Sequence, residues 1–231
     1  MYAIISDIHS NTEALDAVLA DIHSQGIDEI LCLGDVVGYG PEPEECIDRI
    51  EASCRFCLSG NHDYAVLTRA ERFNPLAEEA VDFTRQRLKP GLFKGGWYKR
   101  LFGAGPRVKA RWRFLENLFL EKRENDVLYV HGSPRDQRNE YILETDITYG
   151  NVEKMQEIFQ MIPHLCFVGH SHVPGIFIDA SEPRFLSPTE MSGPYELDAN
   201  HKYIVNIGSV GQPRDGDNRS CYVVVDGARV I

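Results

Sequence analysis

Gly60-Asn61-His62-Asp63 follows directly on the apolar run Arg55 to Ser59, setting an amide, an imidazole and a carboxylate where that run ends. Four other clusters share the arrangement. Asp7-Ile8-His9 follows Tyr2 to Ser6, Gly34-Asp35-Val36-Val37-Gly38 follows Glu29 to Leu33, His131-Gly132 follows Val127 to Val130, and Gly169-His170-Ser171-His172 follows Leu165 to Val168. Each run has the length of a buried strand, so each cluster marks a strand end. In an α/β domain such ends gather on one edge of a sheet, where residues distant in sequence meet. The pattern predicts one convergent site of Asp, Asn and His side chains.

The segments between the runs supply the helices. Asn11 is placed to cap a helix whose Ala14, Leu15, Val18, Leu19 and Ile22 repeat at helical spacing as far as Gly26. A second helix is expected over Glu44 to Ala52, giving crossovers and a largely parallel sheet in this half. Helices are also expected from Leu76 to Leu88 and from Asn151 to Ile162. The later runs Gly175 to Asp179, Arg184 to Leu186, Tyr203 to Ile207 and Cys221 to Asp226 lack intervening helices, which predicts hairpins and a second sheet. No repeat or linker divides residues 1–231, which read as a single domain.

A net charge of -11 argues against general electrostatic binding to nucleic acid or anionic lipid. It leaves room for an anionic substrate, because bound divalent ions would concentrate positive charge locally. The sequence runs into the strand Tyr2 to Ser6 without a basic leader and holds no apolar run of membrane-spanning length, so a cytoplasmic protein is expected. Six cysteines show no disulfide framework. Cys54 and Cys57 form a lone Cys-x-x-Cys, and Cys57 lies within a predicted strand, so core packing is preferred over zinc or redox chemistry.

Residues 85–113 carry basic side chains without one acid, interleaved with aromatics such as Trp97, Tyr98 and Trp112. Such a mixture can bind a nucleotide or single strand by charge and stacking. Gly91, Gly95, Gly96, Gly103, Gly105 and Pro106 favour the plainer reading, a solvated and mobile insertion at about 89–113.

Five of the eight histidines lie in the strand-end clusters. A mixed Asp, Asn and His set suits divalent transition ions, because imidazole binds Zn, Mn, Fe or Ni while the oxygens tolerate harder ions. Two ions need a bridging ligand, and a carboxylate such as Asp35 can give one oxygen to each. Such ions supply hydroxide near neutral pH and polarise a phosphoryl group, so the protein need not provide the nucleophile.

Asp-x-His, Gly-Asp-x-x-Gly, Gly-Asn-His-Asp, a later His and Gly-His-x-His occur here in that order, from Asp7 to His172. Together they resemble the motifs of the calcineurin-like metallophosphoesterase superfamily. The stretch Asn206 to Asp217 is similar to the small bacterial and archaeal phosphodiesterase branch, which includes diadenosine-tetraphosphatase-like members. The resemblance implies a four-layer α/β/β/α sandwich of two mixed sheets flanked by helices. It implies that Asp7, His9, Asp35 and His172 bind one metal while Asp35, Asn61, His131 and His170 bind the other. Two divalent transition ions are expected, manganese first, with iron, zinc, nickel or cobalt as other fits. His62 would protonate the departing oxygen, with Asp63 either orienting it or starting a helical turn, and Asn61 would face the substrate. Apart from the resemblance, Gly208 and Gly211 would let the loop after Tyr203 to Ile207 curl toward the metals, so that Arg214 binds a substrate phosphate oxygen; its plainer reading is a surface arginine in a turn.

The activity so implied is hydrolysis of phosphodiester or dinucleoside polyphosphate bonds in a phosphorylated small molecule or nucleotide, through a metal-activated hydroxide. A phosphomonoesterase or protein phosphatase of the same superfamily is one alternative. It would favour extra arginines near the motifs, and only Arg214 and Arg135 stand out. The other is a non-catalytic metal-binding scaffold, which would not need to keep His62.

Overall fold

The strands form where the apolar runs lie. In the computed structural model, which describes residues 1–71, 73–91, 105–150 and 152–231, β1 (Tyr2–Ile5), β2 (Ile30–Cys32) and β3 (Phe56–Cys57) are parallel. Helices α1 (Thr12–Ser24) and α2 (Pro43–Ser53) connect them. Asn11 caps α1, its Oδ1 accepting from the Ala14 amide at 3.1 Å. Proline at the first position of α2 costs no hydrogen bond, since that amide would lack a helical partner anyway. Next come α3 (Asn61–Leu67), which opens on the quoted tetrapeptide, and α4 (Pro75–Leu88).

The second sheet centres on β5 (Val127–Val130), β6 (Leu165–Val168) and β10 (Lys202–Asn206), mutually parallel in the order β5, β6, β10. β4 (Glu121–Glu124) edges it antiparallel to β5, and the hairpin of β7 (Gly175–Asp179) and β8 (Arg184–Leu186) completes the other side. The short helix α6 (Thr145–Thr148) and α7 (Val152–Met161) lie between β5 and β6 in sequence.

Alternation along each strand sorts the side chains into separate cores. Ile4 of β1, Leu31 of β2, Phe167 of β6 and Tyr203 of β10 pack together between the two sheets. Ala3 and Ile5 point the other way, into the core under α1 and α2, and Cys166, Val168 and Ile204 pack against α7. The layers are therefore helix, sheet, sheet, helix, as expected. Burying each such Ile, Leu or Phe contributes about 1.5 to 3 kcal/mol. Cys57 belongs to the helix-side core, in line with the packing reading of its motif.

Two expectations are corrected. The run from Cys221 does not join the hairpins of the second sheet: β11 (Val223–Asp226) pairs antiparallel with β1, placing Val224 opposite Ala3. There it extends the first sheet toward β12 (Arg229–Val230) and β9 (Tyr195–Glu196). The alternating Val223, Val224 and Val225 serve this position because both faces of the first sheet are covered.

The second correction concerns the insertion. Residues 92–104 lie outside the described residues, but Pro106–Glu116 forms a helix, α5, rather than part of a mobile excursion. Two of its basic side chains are fixed by Asp48 of α2. Arg111 binds Asp48 through two bonds of 2.8 and 2.6 Å, and Arg107 joins the same carboxylate at 2.9 Å. Earlier in the segment, Arg87 pairs with Glu44, and Arg85 donates to the carbonyls of Ala65, Val66 and Thr68. These described basic groups tie α4 and α5 to the domain, which accounts for charge that sequence alone could assign to a polyanion.

Candidate metal centre

Five strand ends deliver the predicted ligands to one point. β1 leads to Asp7 and His9, β2 to Asp35, β3 to Asn61, β5 to His131, and β6 to His170 and His172. Ligand atoms of Asp7, His9 and His172 lie within 4.8 Å of one another, as do those of Asp35, His131 and His170, and those of His9, Asp35 and His62. Asp35 thus belongs to two groups at once. Asn61 Oδ1 lies 3.3 Å from His131 Nε2, beside the second group.

Hydrogen bonds brace these strand ends, that of Asp7 with His170 between the two sheets and those of Asp35 and Asn206 within one sheet each. Asp7 Oδ2 accepts from the His170 amide at 3.0 Å, and Asp35 Oδ1 from the His62 amide at 2.8 Å. Asn206 Nδ2 donates to Gly169 O and Ser171 Oγ, both at 2.8 Å. Holding the side chains inward requires unusual backbone: Asp7, His9, Asp35, His170 and His172 all have φ between 49° and 62°. Each such residue costs on the order of 1 kcal/mol or more, a strain that concentrates at functional sites. Gly60 has an ordinary φ of -76°, so its value lies in size; a Cβ there would meet the Asp35 carboxylate. Gly38 combines a φ of 104° with a Cβ position occupied by the His62 ring.

Backbone carbonyls orient the imidazoles. Nδ1 of His9 faces Val37 O at 3.3 Å, Nδ1 of His131 faces Leu33 O at 3.1 Å, and Nδ1 of His172 faces Gln212 O at 2.5 Å. A carbonyl only accepts, so each Nδ1 carries a proton and Nε2 is the atom turned to the centre. His170 is reversed: Nε2 donates to Asn139 O at 3.1 Å, leaving Nδ1 for the centre.

The fit to divalent ions rests on these inward donors. Nε2 of His9 and Nε2 of His172 stand 3.1 Å apart, and buried Asp7 Oδ1 lies 3.1 Å from the latter without accepting an aligned hydrogen bond. Converging lone pairs of nitrogen and carboxylate oxygen suit a shared cation.

Electrostatics agree. Burial pushes the Asp7 carboxyl up, but His172 and His131 overcome it and hold the group below its ordinary value. For Asp35 burial is likewise outweighed, by His131 and then His62. Burial lowers His131, yet Asp35 and Asp7 raise it to about 9, whereas burial and His131 push His170 down to about 4. The two buried carboxylates create a potential that favours positive charge.

The remaining predicted residues divide. His62 is buried, its Nδ1 without a hydrogen-bond partner, and its ring packs against those of His9, Tyr39 and Phe73. Burial lowers its pKa. Asp63 does not reach it; the carboxylate accepts from Gly60 N at 3.0 Å and Val37 N at 3.2 Å, starting α3 and tying it to the Asp35 loop. Burial and then Asp35 raise Asp63 to about 7. Arg214 lines the cleft over the centre, its guanidinium 6.0 Å from the Tyr39 ring centroid. Arg135 is engaged elsewhere, by Glu140 and Glu157.

That cleft, of about 720 Å³, also holds residues the sequence reading missed. Tyr141 stacks on His170 with centroids 3.9 Å apart, and Arg138 lies 4.2 Å from the Tyr64 ring centroid. Their one signal in sequence is position, within ten residues of the His131 strand end.

Comparison with known proteins follows the same lines. The family description calcineurin-like phosphoesterase matches residues 2–174. An uncharacterized protein of Methanocaldococcus jannaschii is 37% identical over 231 residues, covering 98% of this chain and 82% of that one. The crystal structure of a metallophosphoesterase from Sphaerobacter thermophilus superposes with a TM-score of 0.76 at 34% identity, over 99% of this chain and 85% of the other. A hypothetical protein from Pyrococcus horikoshii gives a TM-score of 0.68 at 17% identity over 100% and 85%, a likeness of fold.

Proposed function

Because the chain belongs to the calcineurin-like phosphoesterase family and is a metal-dependent phosphoric ester hydrolase, we propose that it cleaves phosphodiester or dinucleoside polyphosphate bonds at the Asp35 centre. Asp7, His9, Asp35 and His172 would hold one divalent ion, and Asp35, Asn61, His131 and His170 a second. The nitrogen and oxygen donors suit manganese, with iron, zinc, nickel or cobalt as other fits. When bound, such a pair lowers the pKa of a shared water and polarises a phosphoryl group.

The chain's own residues complete the chemistry. His62 stands at the cleft with its backbone amide on Asp35, placed to give a proton to the departing oxygen. Asp63 acts on it indirectly, by fixing the turn that carries His62. Asn61 and Arg214 face the substrate, the guanidinium holding a phosphate oxygen that does not react.

The observation that carries this reading is the position of Asp35, which groups with His131 and His170 on one side and, on the other, with His9, itself grouped with Asp7 and His172. A scaffold would not need His62 aimed into the same cleft. The test is turnover of bis-p-nitrophenyl phosphate, p-nitrophenyl phosphate and diadenosine tetraphosphate after chelation, with add-back of Mn, Ni, Co, Zn or Mg. Hydrolysis should vanish and return with a transition ion, and full activity in chelated protein would refute it.

A further inference from the structure

Three guanidinium groups, of Arg69, Arg138 and Arg214, line the cleft, and none forms an ion pair with a carboxylate among the described residues. Arg49, Arg55, Arg87, Arg111 and Arg135, by contrast, each hold an acid. Exposed Arg69 needs no explanation, but Arg138 is half-buried. Desolvating a guanidinium with no carboxylate in ion-pair contact is costly; Asp136 and Asp63 act on Arg138 only through space, although a chain with 35 Asp and Glu residues could readily supply a partner.

Arg138 is instead held in place by neutral groups. Its Cζ lies 4.2 Å from the Tyr64 ring centroid, and Nε donates to Ser59 Oγ at 3.3 Å. Neighbouring Asp136 gives Oδ1 to the backbone amides of Arg138 and Asn139, at 3.2 and 3.1 Å. The next carbonyl, Asn139 O, orients His170, so the arginine is fixed relative to the centre. On another side Arg214 is fixed in the same way, its amide donating to His172 O at 3.2 Å. The two arginines are thus anchored through different candidate ligands of the centre, His170 and His172.

Charge on the reacting phosphoryl group is met at the Asp35 centre, so a guanidinium held beside it is matched by additional negative charge. A simple diester carries one negative charge, and a polyphosphate chain carries an oxyanion on each neighbouring phosphate. We propose that Arg138 is a specificity-determining residue that binds a second phosphate of the substrate, selecting polyphosphate chains such as those of nucleoside polyphosphates over simple diesters. This rests on the reading of the centre as a phosphoester hydrolase.

The test uses two non-hydrolysable probes on the metal-loaded protein, methylphosphonate with one phosphonate and methylenediphosphonate with two. Dissociation constants are measured by calorimetry for the wild type, Arg138→Ala and Arg138→Gln. Both substitutions should reduce the preference for the two-phosphonate probe by about 10- to 100-fold, the range expected for one charge-assisted contact. Arg138→Gln, which can still donate to Ser59, guards against a folding artefact in the alanine variant. An unchanged preference overturns the proposal; so does equal weakening of both probes, which would assign Arg138 to the reacting group and favour a monoester. Failure of the hydrolase reading shows separately, as wild-type protein that turns over no phosphoester with any metal.

Discussion

Gly60→Ala isolates one packing contact at the centre. The φ of -76° is open to alanine, so backbone strain contributes nothing and the whole effect comes from the added methyl. That methyl would meet the carboxylate and backbone nitrogen of Asp35, a residue buried to 1% exposure. Overpacking of this kind costs about 1 to 3 kcal/mol, which lowers Tm by roughly 2 to 12 °C in a chain of this size. Because Asp35 belongs to two of the three ligand groups, its displacement should also weaken metal binding, by about 10- to 100-fold as for other disturbed ligand supports. Gly105→Ala is the control: a φ of -56° and open space predict a change within about 0.5 kcal/mol. Thermal unfolding in chelator gives the packing cost, and calorimetric metal titration gives the affinity. If Gly60→Ala matched Gly105→Ala in both measurements, the close approach of Gly60 to Asp35 would not govern the site.

Asp35→Asn should drop metal content below two ions per chain, and retention of two would exclude a shared carboxylate. His62→Ala should keep its metal while losing about 10²- to 10⁴-fold in rate with nucleoside leaving groups and less with p-nitrophenolate; an equal loss across that series would remove the proton-donor role. At the α2 and α5 contact, the Arg111 hydrogen bond, set against burial, holds Asp48 below its ordinary value of 3.8. The stabilisation is then complete above pH 3.8 and disappears as pH falls through the lower folded value. Arg111→Ala should therefore cost about 1 kcal/mol at pH 7 and progressively less below pH 3.8, and urea unfolding with the same gap at pH 7 and pH 2 would contradict the linkage.

The centre was legible because each ligand follows a strand and sits in a short motif, as Asn61 and His62 do after Phe56–Cys57. Arg138 was not, since nothing in sequence separates it from Arg135 three positions earlier; only the acids Glu140 and Glu157 around one and the Tyr64 ring under the other tell them apart. Helix α5 was obscured by its own charge. Read as a string, Arg107 and Arg111 suggest solvent, while four residues apart on a helix they meet Asp48 together. Partners of β11 were equally hidden, because a run of valines fits either sheet and its choice is made by contacts more than 200 residues away.

That pairing also sets an order of events during synthesis. Tyr2, opposite Val225, leaves the ribosome 223 residues before its partner, which at about 5 to 20 residues per second is a wait of roughly 10 to 45 s. β2 can join β1 early, but the other edge of β1 stays unpaired, an apolar strand open to foreign strands. The loop that reaches back to Asp7, through Ser209 Oγ at 2.8 Å and the Gly211 amide at 2.9 Å, emerges almost as late. A chain arrested before Val223 is thus expected to be protease-sensitive around Asp7 and His9. The first ligands translated are the last to be secured, and the nascent protein gains its metal-binding competence only once Val223 to Asp226 have emerged.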